Sequence, residues 1–319
     1  MRFLFVMDPA ETMHPQKDTS FAFMRGAQQL GHHCFHCLPQ QVFNRGRAVS
    51  ALAQQIWVSD QPPHLRLGEE APHALAAMDA VFVRKDPPFD SNYLHLTHQL
   101  ELVREHTLII NDPRALRDAN EKLFAFEFEQ FMPTTLVSSN PEQLLTFVSE
   151  VGGKAVLKPL DGAGGSGVVA LSTGDRNNRA LIDLITENGS RLGMVQQFLP
   201  EVFAGDKRVL LLDGTVLGAI RRVPRSDDLR ANIHVGGQVE ATTLTSTEQQ
   251  LVATVGKRLS ELGLWFVGLD LIAERLIEIN VTSPTGVQEL GRLSGSQPEL
   301  AVIRWAEQKA GRQAKPKAS

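Results

Sequence analysis

A chain of 319 residues with 42% hydrophobic and 21% charged side chains has an ordinary globular composition, and 32 basic against 36 acidic groups leave a formal charge of −4. Nothing in that balance points to a nucleic acid or a membrane surface; no apolar run approaches the ~18 residues of a membrane span, and the first one stops at Asp8, too early for a signal peptide. Two cysteines exclude a disulfide scaffold, and at roughly 100–200 residues per domain two or three domains in a soluble, cytoplasmic protein are expected.

Residues 2–7 (RFLFVM) form a short apolar run ended by Asp8-Pro9, the pattern of a buried first strand. A helix is predicted from Phe21 to Leu30, ended by Gly31, then a strand over His32 to Leu38, another over 80–84 (AVFVR), a helix across 91–106 and a strand at 107–111 (TLIIN). Strands alternating with helices predict a doubly wound, parallel α/β unit over 1–118. A second region, 119–198, opens with a Phe-rich helical stretch (120–131). A helix follows over 141–153, with Pro in its first turn and Gly past its end, then a strand, a glycine-rich turn and a strand. Strands are expected to dominate a third region, 199–310, and residues 311–319 read as a frayed, flexible tail.

Three constellations carry chemistry. The turn Asp161-Gly-Ala-Gly-Gly-Ser-Gly167 lets backbone N–H groups approach an anion, and Lys158 stands just before it at the end of an apolar strand, an arrangement that suits a nucleotide phosphate. It is neither a Walker A loop, lacking the following Gly-Lys-Ser/Thr, nor a dinucleotide fingerprint, because strand follows it. Taken alone the turn reads better as a plain flexible hairpin, and Lys158 is what favours the phosphate reading; a lysine snorkelling to water is the alternative for that residue. Next, the runs around Ala273-Glu-Arg275 predict a hairpin. With its turn centred on Glu274, Asp270 lies opposite Glu278 and Asn280 shares that face. Two carboxylates and an amide oxygen among apolar neighbours suit a hard cation such as Mg²⁺; a structural pairing with Lys or Arg stays open. Finally, Asp213-Gly214 marks a hairpin with Arg208 near one end and Arg221-Arg222 near the other, a clamp for a carboxylate and a transferring phosphoryl group. The register between Arg208 and either arginine is left undecided. His32-His-Cys-Phe-His-Cys37 has C-x-x-C spacing, but strand alternation scatters these side chains over both faces, so no metal or redox role is expected.

Together these elements resemble the ATP-grasp ligases. The segments VMDP (6–9), KDTSFAFM (17–24), VRKDPPFD (83–90), NEKLF (120–124), LKPLDGAGGSG (157–167), GDKRVLLLDG (205–214) and VGLDLIAERLIEINVTSPTG (267–286) are similar, more specifically, to the bacterial glutathione synthetases over essentially the whole chain.

That resemblance implies an α/β (α+β) ATP-grasp architecture: an N-terminal peptide-side domain, a central lid domain and a C-terminal domain, with the nucleotide between the last two. It implies ATP-dependent joining of glycine to γ-glutamylcysteine through an acyl phosphate, in a cytoplasmic homo-oligomer (tetramer or dimer) with no nucleic-acid or membrane partner. By motif, Lys122 and Lys158 hold ATP phosphates, and Gly164, Gly165 and Ser166 cover them. Gln196, Gln197, Phe198 and Leu199 form the adenine hinge, and Asp206 reaches the ribose. Asp270, Glu278 and Asn280 hold two Mg²⁺ (or Mn²⁺) ions, while Arg208 and Arg222, the arginine before Val223-Pro224, stabilise the acyl phosphate. Lys17, Ser20 and Arg84 seat the dipeptide, Arg230 and Asn232 belong to a lid over 223–237, and Ser283, Thr285 and Gly286 lie near glycine. Ala231 and His234 replace smaller residues of the family's lid, and Ala163 stands where Met is frequent.

Within the same chemistry, a D-alanine ligase or amino-acid-adding ligase fits VRKDPPFD poorly. A catalytically dead ATP-binding protein conflicts with the filled phosphate, cation and arginine positions. A nicotinamide dehydrogenase would need glycines where the chain has Asp8-Pro9-Ala10-Glu11.

Overall fold

A computed structural model describes residues 1–162, 164–225 and 238–313. The first unit runs through β1 (Arg2–Met7), α1 (Thr19–Gln29), β2 (His33–Cys37), β3 (Val42–Arg45), β4 (Ala48–Val58), β5 (Leu65–Ala74), β6 (Ala80–Arg84), α2 (Ser91–Glu101), β7 (Leu108–Ile110) and α3 (Pro113–Asp118). Its parallel centre, β2-β1-β6-β7, is the one the strand–helix alternation predicts. Alternate residues of β1 face opposite layers: Phe3 and Phe5 pack with Phe21 of α1, whereas Leu4 and Val6 pack with Leu96 and Leu100 of α2. The antiparallel extension β3-β4-β5 beside β2 was not foreseen. Its outermost strand, β5, carries Glu69, Glu70 and Pro72, which hide it from strand patterning and blunt an open edge. The helix expected across 91–106 stops at Glu101; turns that return the Val103 and Thr107 N–H groups to Leu100 and Val103 carry the chain into β7.

The middle unit holds β8 (Thr135–Ser138), α4 (Pro141–Glu150), β9 (Lys154–Pro159), β10 (Val169–Ser172), α5 (Asn178–Ile185) and β11 (Gly193–Gln197), an antiparallel sheet ordered β10-β9-β11-β8. Leu144 and Val148 of α4 and Ile182 of α5 close its own small core. The stretch 120–131 is not an α-helix. It is a turn running into a 3-10 segment, Phe124–Phe131, broken at Phe128, which lets Phe124, Ala125 and Phe128 all reach the core.

The last unit comprises β12 (Asp206–Leu212), β13 (Thr215–Val223), β14 (Gln238–Ala241), α6 (Ser246–Leu262), β15 (Phe266–Ile272), β16 (Arg275–Asn280), α7 (Val287–Ser294) and α8 (Pro298–Gln313), with strand order β14-β13-β12-β15-β16. Strands do not dominate here: α6, α7 and α8 supply half of the layering, and α8 runs to Gln313, past the expected start of the tail. Val302, Ile303 and Ala306 of α8 share a core with α1, and Val209 and Leu211 of β12 share one with the other face of the first sheet. The first and last units are thus welded by apolar packing, while the middle unit keeps a separate core. Cys34 and Cys37 are buried on opposite faces of β2, in different cores. Among the described residues no helix is long and apolar enough to cross a membrane.

Candidate active site

A cavity of about 450 Å³ opens between the middle and last sheets, with Asp86 and Pro87 of the first unit at one end. On the middle sheet, Lys158 is carried by β9 opposite Met194 of β11, and its ammonium donates to Gln196 Oε1 (3.0 Å), whose amide in turn donates to Thr135 Oγ1 (3.0 Å). Burial lowers the Lys158 ammonium to about 8. The glycine-rich segment joins β9 to β10 as a hairpin, with Gly164, Gly165 and Gly167 at φ of +62°, +82° and +71°. Gly164, Gly165 and Ser166 line the cavity, as do Gln196, Gln197, Phe198 and Leu199 where β11 runs out. Lys122 enters from the turn capped by Asn120 and donates to Gly162 O (2.7 Å) while pairing with Glu278 (2.9 Å). It thereby tethers the lid segment to the last sheet.

On the last sheet, register decides everything. Asp206 pairs with Arg222 across β12–β13, and Arg208 with Asp270 across β12–β15. Arg208 grips Asp270 through Nε (2.5 Å) and Nη2 (2.9 Å); Arg222 reaches the same carboxylate at 3.0 Å and binds Asp206 through Nε (2.7 Å) and Nη2 (2.5 Å). The arginine that joins Arg208 is therefore Arg222; Arg221, opposite Lys207, lies off the cavity. Burial alone would push the Asp270 carboxyl up, but the two guanidiniums hold it well below the usual carboxylate range. Burial raises Asp206 against the pull of Arg222. With both oxygens on Arg222, Asp206 reads as that arginine's anchor in addition to any contact with a ribose.

Asp270 faces Glu278 as the hairpin reading expected, by a different route. Ala273 and Glu274 (φ +48° and +63°) form a two-residue turn that pairs Leu271 with Leu276 and would set Asp270 against Ile277. A bulge there skips Ile277 and brings Glu278 into place. Asn280, opposite Gly268, turns its amide nitrogen to Gly268 O (3.2 Å) and Asp270 Oδ2 (3.3 Å).

The residues expected around the peptide are only partly brought to the cavity. Ser283 and Thr285 line it; Lys17, Ser20, Arg84 and Gly286 do not. Lys17 is exposed in the turn before α1. Gly286 caps α7 with φ of +116° and packs toward Ile220. Arg84 is buried one layer behind the wall, donating to Ser20 Oγ (3.1 Å) and Pro284 O (3.0 Å), while Ser283 Oγ donates to the Arg84 carbonyl. Arg230, Asn232 and Ala163 lie outside the described residues. Two acidic cavity residues escaped the sequence reading. Glu121, masked by the lysine beside it, accepts on Oε1 from Val281 N (2.9 Å), Thr282 N (3.0 Å) and Thr282 Oγ1 (2.8 Å). Burial first, and the Glu278 charge second, push its carboxyl above the ordinary range. Asp86 is the other.

Comparison with known proteins follows the same lines. The model of the prokaryotic glutathione synthetase N-terminal domain matches residues 1–117, and that of the prokaryotic glutathione synthetase ATP-grasp domain matches residues 121–295. The glutathione synthetase of Brucella melitensis is 41% identical over 300 residues, covering 94% of this chain and 95% of the relative. That of Synechocystis sp. is 42% identical over 318 residues, covering 96% and 99%. Among solved structures, a D-cycloserine synthetase aligns with a TM-score of 0.67 at 16% identity, covering 98% and 99%. A Chryseobacterium gregarium RiPP-associated ATP-grasp ligase in complex with ADP and a leader and core peptide aligns at 0.66 and 14%, covering 99% of each chain. The solved structures share the fold, while the sequence matches run from β1 to α7 across every segment that builds the cavity. The chain belongs to the prokaryotic glutathione synthetase family, ATP-dependent ligases of the ATP-grasp fold.

Proposed function

We infer that the protein joins glycine to γ-glutamylcysteine at the expense of ATP, giving ADP, phosphate and glutathione. The observation that carries this reading is the meeting of Arg208, Arg222 and Asp270 on one wall of the cavity with Lys122 and Lys158 on the other. ATP would lie between the two sheets, its base at Gln196 to Leu199 and its phosphates between the two lysines, under Gly164, Gly165 and Ser166. The cysteinyl carboxylate is too poor an electrophile for an amine. Its oxygen attacks the γ-phosphorus, the bond to ADP breaks, and an acyl phosphate results. Glycine's free amine then attacks the carbonyl carbon, phosphate leaves with the C–O electron pair, and the nitrogen gives up one proton and keeps the other as the amide N–H. Arg208 and Arg222 neutralise the phosphoryl charge and the oxyanion, and the lid keeps water from the acyl phosphate.

Two carboxylates and an amide whose oxygen points away from its hydrogen-bonded nitrogen make a hard-oxygen set, which fits Mg²⁺ or Mn²⁺. Among the described residues no three acidic, His or Cys side chains form a closed metal site, so phosphate oxygens would have to complete the shell. Asp270, Glu278 and Asn280 would hold the ions. When bound, such ions offset charge on the transferring phosphoryl group. Loading them requires the Asp270 carboxylate to share itself between Arg208, Arg222 and metal, and Glu278 to loosen from Lys122.

The two family matches, which meet at about residue 120, support a division near 118 into a peptide-side unit and a nucleotide-binding pair of units. Two buried free thiols accord with a reducing, cytoplasmic setting, and the family resemblance with a homotetramer or dimer. The test is ADP release with γ-glutamylcysteine and Mg²⁺, with and without glycine, alongside mass-spectrometric detection of glutathione. One glutathione per glycine-dependent ADP is expected; no turnover with this donor and acceptor would overturn the reading.

A further inference from the structure

Behind Lys158 runs a polar row that no step of the ligation uses. In the antiparallel ladder β9-β11-β8, Lys158 faces Met194 and Thr135 faces Gln196. Gln196 stands two residues on from Met194, so Lys158, Gln196 and Thr135 fall on one face of the sheet as a diagonal. The Lys158 ammonium donates to Gln196 Oε1 (3.0 Å), the Gln196 amide nitrogen donates to Thr135 Oγ1 (3.0 Å), and the Thr135 hydroxyl donates to Pro133 O (2.7 Å). Lys158 and Gln196 are buried and line the cavity; Thr135 is half-buried and stands outside its wall.

The row has a direction. A hydroxyl carries one proton, and Thr135 gives it to a backbone carbonyl, so toward Gln196 it can only accept. An amide that meets an acceptor presents its nitrogen, which leaves its oxygen for Lys158. Turned the other way, Gln196 would set an NH2 group against an ammonium, two buried donors with no acceptor between them. The Pro133 carbonyl thus selects the amide orientation, and that orientation decides whether Lys158 finds an acceptor. The acceptor matters because burial works against the charge. Desolvation lowers the Lys158 ammonium to about 8; Glu278 raises it, Lys122 lowers it and Asp270 raises it, none of them through a hydrogen bond.

We propose that Thr135 is a positioning residue of the nucleotide site: through the Gln196 amide it supplies Lys158 with an acceptor and so holds that ammonium ready for a phosphate. This rests on the ligase reading only in taking the cavity as the seat of a nucleotide. Thr135 itself touches no nucleotide, and its effect passes entirely through the two side chains in front of it.

The test is calorimetric titration of the full chain with a non-hydrolysable ATP analogue between pH 6 and 9, comparing the wild type with Thr135→Val and Thr135→Ser. Valine keeps the shape and suits the strand but accepts nothing, so the amide is no longer directed and Lys158 sheds its proton more readily. In Thr135→Val the fall in affinity with rising pH should begin about one unit earlier, close to the size of one lost hydrogen bond to a charged group. The Kd values of variant and wild type should then agree within about twofold at pH 6 and differ about tenfold at pH 9. Thr135→Ser keeps the hydroxyl and should restore the wild-type profile. In a Lys158→Arg background, where the cation does not titrate in this range, adding Thr135→Val should leave the profile flat. A threonine with a merely structural role predicts a loss that is equal at both ends of the range and in both backgrounds. That result, or a Thr135→Val profile superimposable on the wild type, would overturn the relay and leave the ligase reading intact. A wild type that binds no analogue would overturn the nucleotide site and the relay with it.

Discussion

Arg208 and Asp270 face each other across β12 and β15 and are joined at both ends, Nε to Oδ1 at 2.5 Å and Nη2 to Oδ2 at 2.9 Å, with Arg222 sharing the carboxylate. Asp270 is therefore the shared counter-ion of two buried arginines. Asp270→Asn should lower stability by about 3–5 kcal/mol, because two buried guanidiniums are left with Asp206 alone. Urea unfolding of the variant beside the wild type reads this directly; an unshifted midpoint would mean the pairs are dispensable.

Glu278 is less deeply committed, at 22% side-chain exposure with one contact to Lys122, whose ammonium also holds Gly162 O. Glu278→Gln should keep the wild-type melting temperature within a few degrees and raise the Mg²⁺ concentration for half-maximal activity at least about tenfold, one lost charged ligand. A Mg²⁺ titration at saturating ATP checks it.

Lys158 makes nucleotide affinity pH-dependent. Its ammonium, lowered by burial to about 8, is charged below that value and neutral above it in the free protein. Binding of phosphates favours the charged form, so the Kd for a non-hydrolysable ATP analogue should rise as pH climbs from 7 to 9, by up to about tenfold per unit above 8. Stability of the free protein moves oppositely. Between about 8 and 10.5 the unfolded chain holds a proton that the folded chain has released, so this group makes stability rise with pH there. Calorimetric titration across that range, repeated with Lys158→Arg, should give a flat profile in the variant.

Gly256 of α6 lies against the β12–β13 turn so closely that a Cβ would sit 2.2 Å from Gly214 O. Gly256→Ala must push helix and turn apart, costing about 2–3 kcal/mol. The cavity does not include this contact, so KM for ATP should hold while the thermal midpoint falls.

How much of this was legible beforehand depended on the range of the interaction. Lys158 beside its glycines, and the Asp270–Glu278 pair, were readable because strand and turn signals are local. Even so, the second came out right although the bulge at Ile277, which makes it so, left no mark in the sequence. The choice between Arg221 and Arg222 needed the register of β12 and β13, which follows from Asp213-Gly214 closing a two-residue turn and from the shift near Leu210. Glu121 was invisible for a stronger reason: its partners, Val281 and Thr282, are 160 and 161 residues away. Strand β5 was missed because an edge open to water needs no apolar alternation.

The placement of Cys34 and Cys37 has a consequence for a catalyst whose donor and product both carry a thiol. Burial pushes each of these cysteines up to about 12, so neither supplies the thiolate that disulfide exchange requires. With one in each core, on opposite faces of β2, they also cannot pair with one another. Oxidised glutathione should therefore leave activity untouched over hours of incubation, and the supply of the cell's reductant would not fail at the moment its oxidised form accumulates.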